Sequence, residues 1–218
     1  MEKDLEETTQ RFLEMLTVSG SLKSEAVAEA LRDVPRHLFV DQFYDTSGSK
    51  PRLVKVSTKG PTNKQLERIY ADSALVSHRN RYGATSSISA PSLVVQMLEQ
   101  LQLTPGMKVL EIGAGTGWNA ALIGHIVGSN GQVTSIDIQS DVTRRARKHI
   151  KKLGAKNVEI ITCDGMQGWK IQSPYNRIVT TVNSPDISPH WINQLKTNGR
   201  MLVSLHDVVG EGRGLLVR

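Results

Sequence analysis

Three glycines alternate in the run Gly113-Ala114-Gly115-Thr116-Gly117, directly after the apolar residues 109–112. Alternating glycines let a backbone turn sharply and approach a ligand without Cβ atoms in between. A helix-like segment follows, so free N–H groups at its start would point toward polar ligand atoms. The pattern predicts a loop that binds a nucleotide-type cofactor.

Acidic residues stand at the ends of three successive predicted strands around this loop. Glu111 precedes the glycines, and Asp137 and Asp164 end the next two strands. Asp137 follows Gly113 by 24 positions, near the spacing of about 20 at which a carboxylate binds a ribose diol. Three such acids suit a cofactor with a cationic methionine end, a ribose and an adenine, which predicts S-adenosylmethionine. A nicotinamide-dependent oxidoreductase would show much the same loop and is the alternative from another enzyme class.

Strand and helix patterns alternate from Pro91 onward and place these residues on a sheet. Strands are predicted at 108–113, 132–138, 157–163, 177–182 and 200–206, with a weak sixth at 214–218, and helices at 117–127, 140–153 and 188–195. This alternation predicts an α/β, Rossmann-like fold, a mostly parallel twisted sheet with helices on both faces.

The N-terminal part has a different pattern. Apolar spacing predicts helices at 4–18 and 23–32, an N-terminal helical appendage to the sheet. Residues 44–66 lose periodicity and gather glycine, proline, serine, threonine and lysine, which predicts a long loop or insertion. We expect residues 1–90 to hold these helices, the insertion and a substrate-facing segment, and residues 91–218 to bind the cofactor, within one domain.

The composition of the chain indicates which classes of binding partner to expect. The chain has 218 residues, with 27 lysines and arginines against 21 aspartates and glutamates, a formal net charge of +6. Much of the excess lies in 50–68 and 144–152, and it favours anionic partners. Cys163 is the only cysteine, the first residues are charged and the apolar segments are short, so we expect a cytoplasmic protein with no membrane partner. The histidines lack metal-ligand spacing, so we expect no metal.

Read together, these features resemble the protein-L-isoaspartate O-methyltransferase family, whose members use S-adenosylmethionine. The resemblance is carried by 34–40 (Val-Pro-Arg-His-Leu-Phe-Val), Tyr70-Ala71-Asp72, Ser87-Ile88-Ser89-Ala90-Pro91, the glycine loop, Asp164-Gly165 and 174–178. It implies the class I methyltransferase fold. It also implies that the segment matching Ser86 to Ser89 lines the cofactor and the substrate carboxylate, with the serine matching Ser89 in the active site.

The candidate site residues follow from the loop and from this resemblance. Ser87 and Ser89 are the candidates for contact with the acceptor carboxylate. The candidates for cofactor binding are Ser86, Glu111, Gly113, Ala114, Gly115, Thr116, Gly117, Asn119, Asp137, Ile138, Asp164 and Gly165. Simpler roles stay open for three of them. Ser89 can cap the helix that begins at Pro91, Asp137 can cap the helix from Ser140, and Asp164 can be a turn residue.

The chain departs from the family in three places. Ser92 follows Pro91 where members commonly have a histidine soon after, and the insertion at 44–66 is long. Together with the segments 85–89 (Thr-Ser-Ser-Ile-Ser), 91–93 (Pro-Ser-Leu) and 118–122 (Trp-Asn-Ala-Ala-Leu), the insertion resembles a divergent branch that modifies ribosomally made peptides during natural-product maturation. The final antiparallel strand of the family is missing after Arg218, so we expect that either the chain is trimmed there or the sheet edge is finished differently.

The resemblance implies an S-adenosylmethionine-dependent carboxyl O-methyltransferase that acts on a protein or peptide. A carboxylate is already ionised at neutral pH and needs no general base, which fits the absence of an obvious base beside the loop. The acceptor stays open between an isoaspartyl side chain, an aspartyl side chain and the C-terminal carboxylate of a precursor peptide. Outside enzymology, the alternative is a binding module that holds nucleic acid or a leader peptide on its basic surface; we favour a protein or peptide over nucleic acid.

Overall fold

The computed structural model describes the backbone of residues 2–206 and 212–217, and the side chains of residues 5–205. The chain divides into two compact units, Met1–Gln96 and Met97–Arg218. The sequence predicted one domain, with a substrate-facing part up to residue 90 and a cofactor-binding part after it. Among the described residues, no helix combines the length and apolar composition needed to cross a membrane.

The first unit combines helices with two β-hairpins. Its helices are α1 (Glu2–Val18), α2 (Glu25–Asp33) and α3 (Asn63–Tyr70), and it contains the first part of α4 (Pro91–Leu101). Strands β1 (Gln42–Asp45) and β2 (Arg52–Lys55) form one antiparallel pair, and β3 (Leu75–Asn80) and β4 (Gly83–Ile88) form the other. Helices α1 and α2 agree with the two predicted N-terminal helices.

The prediction of a long loop at 44–66 is wrong. The β1–β2 hairpin forms because Phe43 and Val54 pair in register, and Phe43 is buried. Helix α3 begins inside the predicted loop because Thr62 and Gln65 form a capping box, in which each side chain accepts a hydrogen bond from the other residue's backbone N–H. This Thr-x-x-Gln signal is local and is visible in the sequence.

The β3–β4 hairpin was not predicted from the sequence. Its strands pair Leu75 with Ile88, and both side chains are buried. Strand β4 reads Gly-Ala-Thr-Ser-Ser-Ile, which lacks the alternation of apolar and polar residues that identifies a half-buried strand. The hairpin carries Ser86 and Ser87, so it positions two candidate site residues.

The second unit is a six-stranded sheet with helices, as predicted. Its strands are β5 (Lys108–Ile112), β6 (Gln132–Asp137), β7 (Val158–Thr162), β8 (Tyr175–Thr180), β9 (Leu195–His206) and β10 (Gly212–Val217). Helices α5 (Trp118–Val127), α6 (Ser140–Leu153) and α7 (Pro189–Gln194) connect them. The strand order is β10-β9-β8-β5-β6-β7, and the five strands from β9 to β7 are parallel.

The weak sixth strand predicted at 214–218 corresponds to β10, which pairs antiparallel with β9. In the part of the chain that the structure describes, this edge of the sheet therefore carries an antiparallel strand, Gly212–Val217. Part of the core is a cluster of buried side chains from β5, β6, β8, α7 and β9: Leu110, Ile112, Ile136, Tyr175, Ile178, Trp191, Met201 and Val203.

Candidate functional site

A cavity of about 220 Å³ lies in the second unit, at the carboxyl ends of the central strands. Its lining is mainly apolar: Ile112, Ile136, Ile138, Met166, Val182, Pro185 and Trp191. The remaining lining residues are Gly113, Asp137, Asp164, Gly165, Asn183 and Ser184. Ligands of open α/β sheets bind at this edge because the strand ends and their loops converge there. Five residues predicted to bind the cofactor therefore line a single cavity: Gly113, Asp137, Ile138, Asp164 and Gly165.

The glycine loop leaves β5 in a conformation that favours glycine. Gly113, Gly115 and Gly117 have φ angles of +105°, +50° and +86°. A Cβ atom on Gly113 would lie 2.6 Å from Thr181 Oγ1 and 2.6 Å from Val182 Cγ1. Both the backbone angle and the space therefore exclude a larger residue at the start of the loop.

The Asp137 carboxylate ties the end of β6 to this loop. Its Oδ2 accepts a hydrogen bond from Gly115 N–H at 3.1 Å, and its Oδ1 accepts one from Gln139 N–H at 3.0 Å. Both N–H groups lie outside helix α6, which begins at Ser140. Because a carboxylate has about four acceptor positions, about two remain for the hydroxyls of a diol.

Asp164 also belongs to the cavity lining and stands at the start of a short 3₁₀ turn, Gly165–Gln167. Its Oδ1 accepts a hydrogen bond from Met166 N–H at 3.0 Å, while the side chain is exposed. Helix α7 holds this turn in place, because Trp191 Nε1–H donates a hydrogen bond to the Gly165 carbonyl at 2.8 Å. Asp164 is thus both a turn residue and a cavity residue.

Glu111 lies beneath the loop and outside the cavity lining. It is fully buried, and its two oxygens accept hydrogen bonds from Ser135 Oγ at 2.5 Å and Asn119 Nδ2 at 2.7 Å. Burial raises the pKa of Glu111 to about 7; the hydrogen bonds from Ser135 and Asn119 oppose this rise and the charge of Asp137 adds to it. The structure therefore places Glu111 and Asn119 in a buried network that supports the loop.

The rest of the loop is held by helix α6. His149 is buried, and its Nδ1 lies 2.9 Å from the Thr116 carbonyl. Because a carbonyl oxygen only accepts, Nδ1 carries the proton in this contact. A Cβ atom on Gly117 would lie 3.4 Å from the Ala146 Cβ. Ala114, Gly115, Thr116 and Gly117 thus form the frame of the loop, and they are absent from the cavity lining.

The three candidate serines belong to the first unit. Ser77 Oγ donates to Ser86 Oγ at 3.4 Å, across the β3–β4 hairpin. Ser87 is exposed on β4. Ser89 follows the strand and is half-buried, and its carbonyl accepts a hydrogen bond from Arg36 Nη2 at 3.0 Å.

Arg36 joins two sequence motifs inside the first unit. Its side chain is 1% exposed, and Nη2 donates to the carbonyls of Ser73 at 3.1 Å and Ser89 at 3.0 Å. Burial lowers the pKa of Arg36 to about 9, against the opposing effects of Tyr70 and Asp72. Arg36 therefore fixes the backbone on which Ser89 stands.

Neighbouring motif residues complete this network. Asp72 Oδ1 accepts a hydrogen bond from Ser92 N–H, in the first turn of α4, at 2.9 Å. Asp72 therefore caps the first turn of α4, a role that the sequence had left open for Ser89. His37 Nδ1 lies 2.9 Å from the Tyr70 hydroxyl, and burial raises the Tyr70 pKa to about 12. The motifs at 34–40, 70–72 and 87–91 therefore form one structural cluster.

Sequence reasoning missed part of each site. In the second unit it assigned no cofactor contact to the segment that follows β8, in which Val182, Asn183, Ser184 and Pro185 line the cavity, and it missed Trp191. The available signal was topological, because loops that follow parallel strands meet at the same sheet edge. In the first unit it missed the burial of Arg36, which no local pattern indicates.

The chain matches a family model described as Protein-L-isoaspartate(D-aspartate) O-methyltransferase over residues 7–212. Protein-L-isoaspartate O-methyltransferase 2 of Archaeoglobus fulgidus is 39% identical over 206 residues, which cover 94% of this chain and 82% of the relative. Protein-L-isoaspartate O-methyltransferase of Pyrococcus horikoshii is 36% identical over 202 residues, 93% of this chain and 79% of the relative.

Solved structures show the same similarity. A protein-L-isoaspartate O-methyltransferase aligns with a TM-score of 0.78 and 30% identity over 95% of this chain, which spans 59% of that longer chain. A Plasmodium falciparum protein classed in the same way, in complex with S-adenosyl-L-homocysteine, aligns with a TM-score of 0.69 over 91% of this chain and 84% of that chain. At 17% identity, the second alignment supports the fold alone.

Proposed function

The chain belongs to the protein-L-isoaspartate(D-aspartate) O-methyltransferase family, and on that premise we propose which of its residues bind the cofactor and the acceptor. It is an S-adenosylmethionine-dependent O-methyltransferase of protein carboxyl groups, as its family is. The isoaspartyl side chain is the acceptor that we assign to it. We place this activity in the cytoplasm, since Cys163 is the only cysteine of the sequence.

The cavity at the carboxyl edge of the sheet carries the proposal for the cofactor. Asp137 and Asp164 reach the same apolar cavity, and the glycine loop begins at its wall. We assign the ribose diol to Asp137, because its carboxylate keeps free acceptor positions. We assign the adenine to Asp164 and to the apolar side chain of Ile138, which is 70% exposed beside Asp137. Gly113 would then hold the methionine end.

The remaining loop residues hold this arrangement in place. The Gly115 N–H and the Thr116 carbonyl are engaged by Asp137 and His149, so the loop is shaped before a ligand arrives. Glu111 acts indirectly, through Asn119 at the start of α5. A site that is already ordered loses less conformational entropy on binding.

Methyl transfer to a carboxylate needs alignment more than it needs proton transfer. When bound, S-adenosylmethionine supplies a methyl group activated by its sulfonium. Transfer of that methyl group to a carboxylate oxygen would break the carbon–sulfur bond and leave its electron pair on sulfur. No proton moves, so the protein has to bring the two groups into line and exclude water, which can contribute about 7 to 11 kcal/mol.

Ser87 and Ser89 are our candidates for holding the acceptor. A serine hydroxyl can donate to one carboxylate oxygen and leave the other free to attack. Ser87 is exposed on β4, and the backbone of Ser89 is fixed by Arg36. Ser86 is the candidate for contact with the cofactor from the same strand, and its hydroxyl is already paired with that of Ser77.

Labelled S-adenosylmethionine and matched peptides test the choice of acceptor. The peptides differ only in carrying aspartate or isoaspartate, each with a free or an amidated C-terminus. We expect transfer to the isoaspartyl peptides alone, unaffected by amidation. Transfer that disappears on amidation would instead assign the C-terminal carboxylate, the acceptor of a peptide-maturation enzyme, and would refute the proposal.

Variants test the assignment of the serines. Ser89→Ala and Ser87→Ala should raise KM or lower kcat for the isoaspartyl peptide and leave the Kd for S-adenosylhomocysteine unchanged. Ser129→Ala, in the exposed turn after α5, is the control and should change neither. If both serine variants keep full activity, the acceptor is held by other groups.

A further inference from the structure

Cations are frequent in the β-hairpins of the first unit and in helix α3, which follows the first hairpin. Residues 41–90 contain eight lysines and arginines against four aspartates and glutamates. We call these eight cations the basic hairpin surface: Lys50, Arg52, Lys55, Lys59, Lys64, Arg68, Arg79 and Arg81. All are exposed except Arg79, which is half-buried. The segment 41–90 therefore supplies +4 of the formal net charge of +6.

Carboxylates of the chain do little to neutralise this surface. Among the described residues, Arg52 is the one of these cations that has a carboxylate within 4 Å, that of Asp45 at 3.7 Å. Both side chains of that pair meet solvent, so the contact is weak. The field of the remaining cations is available to an anionic partner.

Aromatic and apolar side chains lie among the cations. The Arg79 guanidinium is 5.9 Å from the centre of the Tyr44 ring, and that of Arg81 is 4.6 Å from the centre of the Tyr82 ring. Tyr82 is 81% exposed. A ring contact restricts an arginine side chain without using its N–H donors, which stay available for a carboxylate.

The β1–β2 pairing adds an apolar element to this surface. Tyr44 and Leu53 are opposite each other in register, so their side chains share one face of the hairpin, and Leu53 is 41% exposed. Gln42 and Lys55 form the next pair on that face. The cation Lys55 therefore lies beside the apolar side chain of Leu53 on this face of the hairpin.

We propose that the basic hairpin surface binds acidic side chains that flank the modified residue, so that the enzyme prefers isoaspartyl sites in acidic segments of protein substrates. This inference rests on the proposed function. A peptide fits better than a nucleic acid because Leu53 and Tyr44 interrupt the cations with apolar surface, which suits mixed side chains. Exposed ion pairs change binding by about two- to fivefold each, so a few of them give a preference of about tenfold.

Helix α6 provides a matched comparison in the second unit. Arg144, Lys148, Lys151 and Lys152 are exposed on it. Arg147 is anchored, since its Nε donates to the Ile160 carbonyl at 2.8 Å. No aromatic side chain lies within the helix sequence apart from the imidazole of His149, so this face has the charge of the basic hairpin surface without its tyrosine contacts.

Kinetics on matched peptides test the preference. Two isoaspartyl peptides are compared, one with glutamates on both sides of the isoaspartate and one with glutamines at those positions. We expect a KM about tenfold lower for the acidic peptide at low salt, with equal kcat, and a smaller difference at about 0.5 M salt because of screening. Equal KM values at low salt would overturn the proposal.

Paired charge reversals locate the effect. The double variant Lys55→Glu/Arg81→Glu should raise KM for the acidic peptide about tenfold and leave the glutamine peptide unchanged. The double variant Lys151→Glu/Lys152→Glu makes the same change of charge on α6 and should keep the preference. If both double variants lose it equally, the net charge of the protein is responsible and the surface is not a binding site.

Two further measurements separate the possible outcomes. The first compares two inhibitors of methyl transfer, an acidic peptide without isoaspartate and an RNA oligonucleotide of equal charge. If the RNA inhibits at the lower concentration, the surface binds nucleic acid and the proposal is refuted. If no isoaspartyl peptide is methylated, the proposed function fails instead. Fluorescence anisotropy of a labelled acidic peptide, with the same two double variants, then decides whether the surface binds it.

Discussion

The Asp137 carboxylate accepts a hydrogen bond from the Gly115 N–H at 3.1 Å and so joins the end of β6 to the middle of the glycine loop. The two residues are 22 positions apart in the chain. Asp137 also lines the cavity at the carboxyl edge of the sheet, so the same carboxylate shapes the loop and faces the proposed cofactor site. This pair can therefore be tested through both stability and binding.

Asp137→Asn should weaken cofactor binding more than it weakens the fold. The amide oxygen can still accept one hydrogen bond, but the negative charge and one acceptor are lost. Hydrogen bonds to charged groups contribute about 1.5 to 3 kcal/mol, so the Kd for S-adenosylhomocysteine should rise at least about tenfold in isothermal titration calorimetry. Asp33→Asn, exposed at the end of α2, should leave the Kd unchanged. An unaltered Kd in Asp137→Asn would remove the ribose assignment.

Gly113→Ala should abolish binding and destabilise the second unit. The new Cβ atom would overlap Thr181 and Val182, each at 2.6 Å, at a φ of +105°. Gly106→Ala is the control, since Gly106 has a φ of +82° and a Cβ atom there would meet no other atom within 4 Å. The control isolates backbone strain, about 1 to 2 kcal/mol. Thermal unfolding should show a larger loss of Tm for Gly113→Ala; equal losses would mean that the overlap is relieved by movement of its neighbours.

Glu111→Gln should remove a pH-dependent loss of stability. Burial raises the pKa of Glu111 to about 7 from an ordinary value of 4.5. Between these values the folded protein retains a proton that the unfolded chain has released, so this carboxyl lowers the free energy of unfolding as pH rises from about 4.5 to about 7. The glutamine does not titrate, and its amide can donate to Asn119 Oδ1 once the Asn119 amide, whose Nδ2 now faces residue 111, turns by about 180°.

Urea unfolding at several pH values measures this effect. The stability advantage of Glu111→Gln over the unmodified protein should grow from about pH 4.5 to about pH 7 and then level off. Glu67→Gln, an exposed carboxyl on α3, is the control and should give a much smaller change. A constant difference between Glu111→Gln and the unmodified protein across this range would contradict the shifted pKa.

Arg36→Lys should destabilise the first unit and impair transfer. A lysine keeps the charge but cannot reproduce the Nη2 contacts to the carbonyls of Ser73 and Ser89. A buried acceptor without a donor costs about 1 to 3 kcal/mol, to be measured by urea unfolding. Arg32→Lys changes an exposed arginine paired with Glu25 and should cost less than about 0.5 kcal/mol. Because Ser89 depends on Arg36, KM for the isoaspartyl peptide should rise while the Kd for S-adenosylhomocysteine stays the same.

The sequence predicted correctly most elements that depend on residues close to one another in the chain, and it failed more often where distant residues decide. The strand that ends at Asp137 and the helix that starts at Ser140 were found because their apolar periodicity is local. The helix inside 44–66 was also encoded locally, by Thr62 and Gln65, but glycine and proline composition outweighed that signal. The β3–β4 hairpin had no comparable pattern, because its serines are neither clearly apolar nor clearly turn-forming.

Sequence alone determined the α/β class, the glycine loop and the positions of Asp137 and Asp164, since each depends on residues a few positions apart or on regular strand spacing. Tertiary structure decided which acids reach the cavity. Glu111 and Asp137 both end strands, yet one is fully buried under Asn119 and Ser135 and the other lines the cavity. Only packing between distant segments distinguishes them, because the energetic cost of burying a carboxylate depends on the neighbours that the fold brings to it.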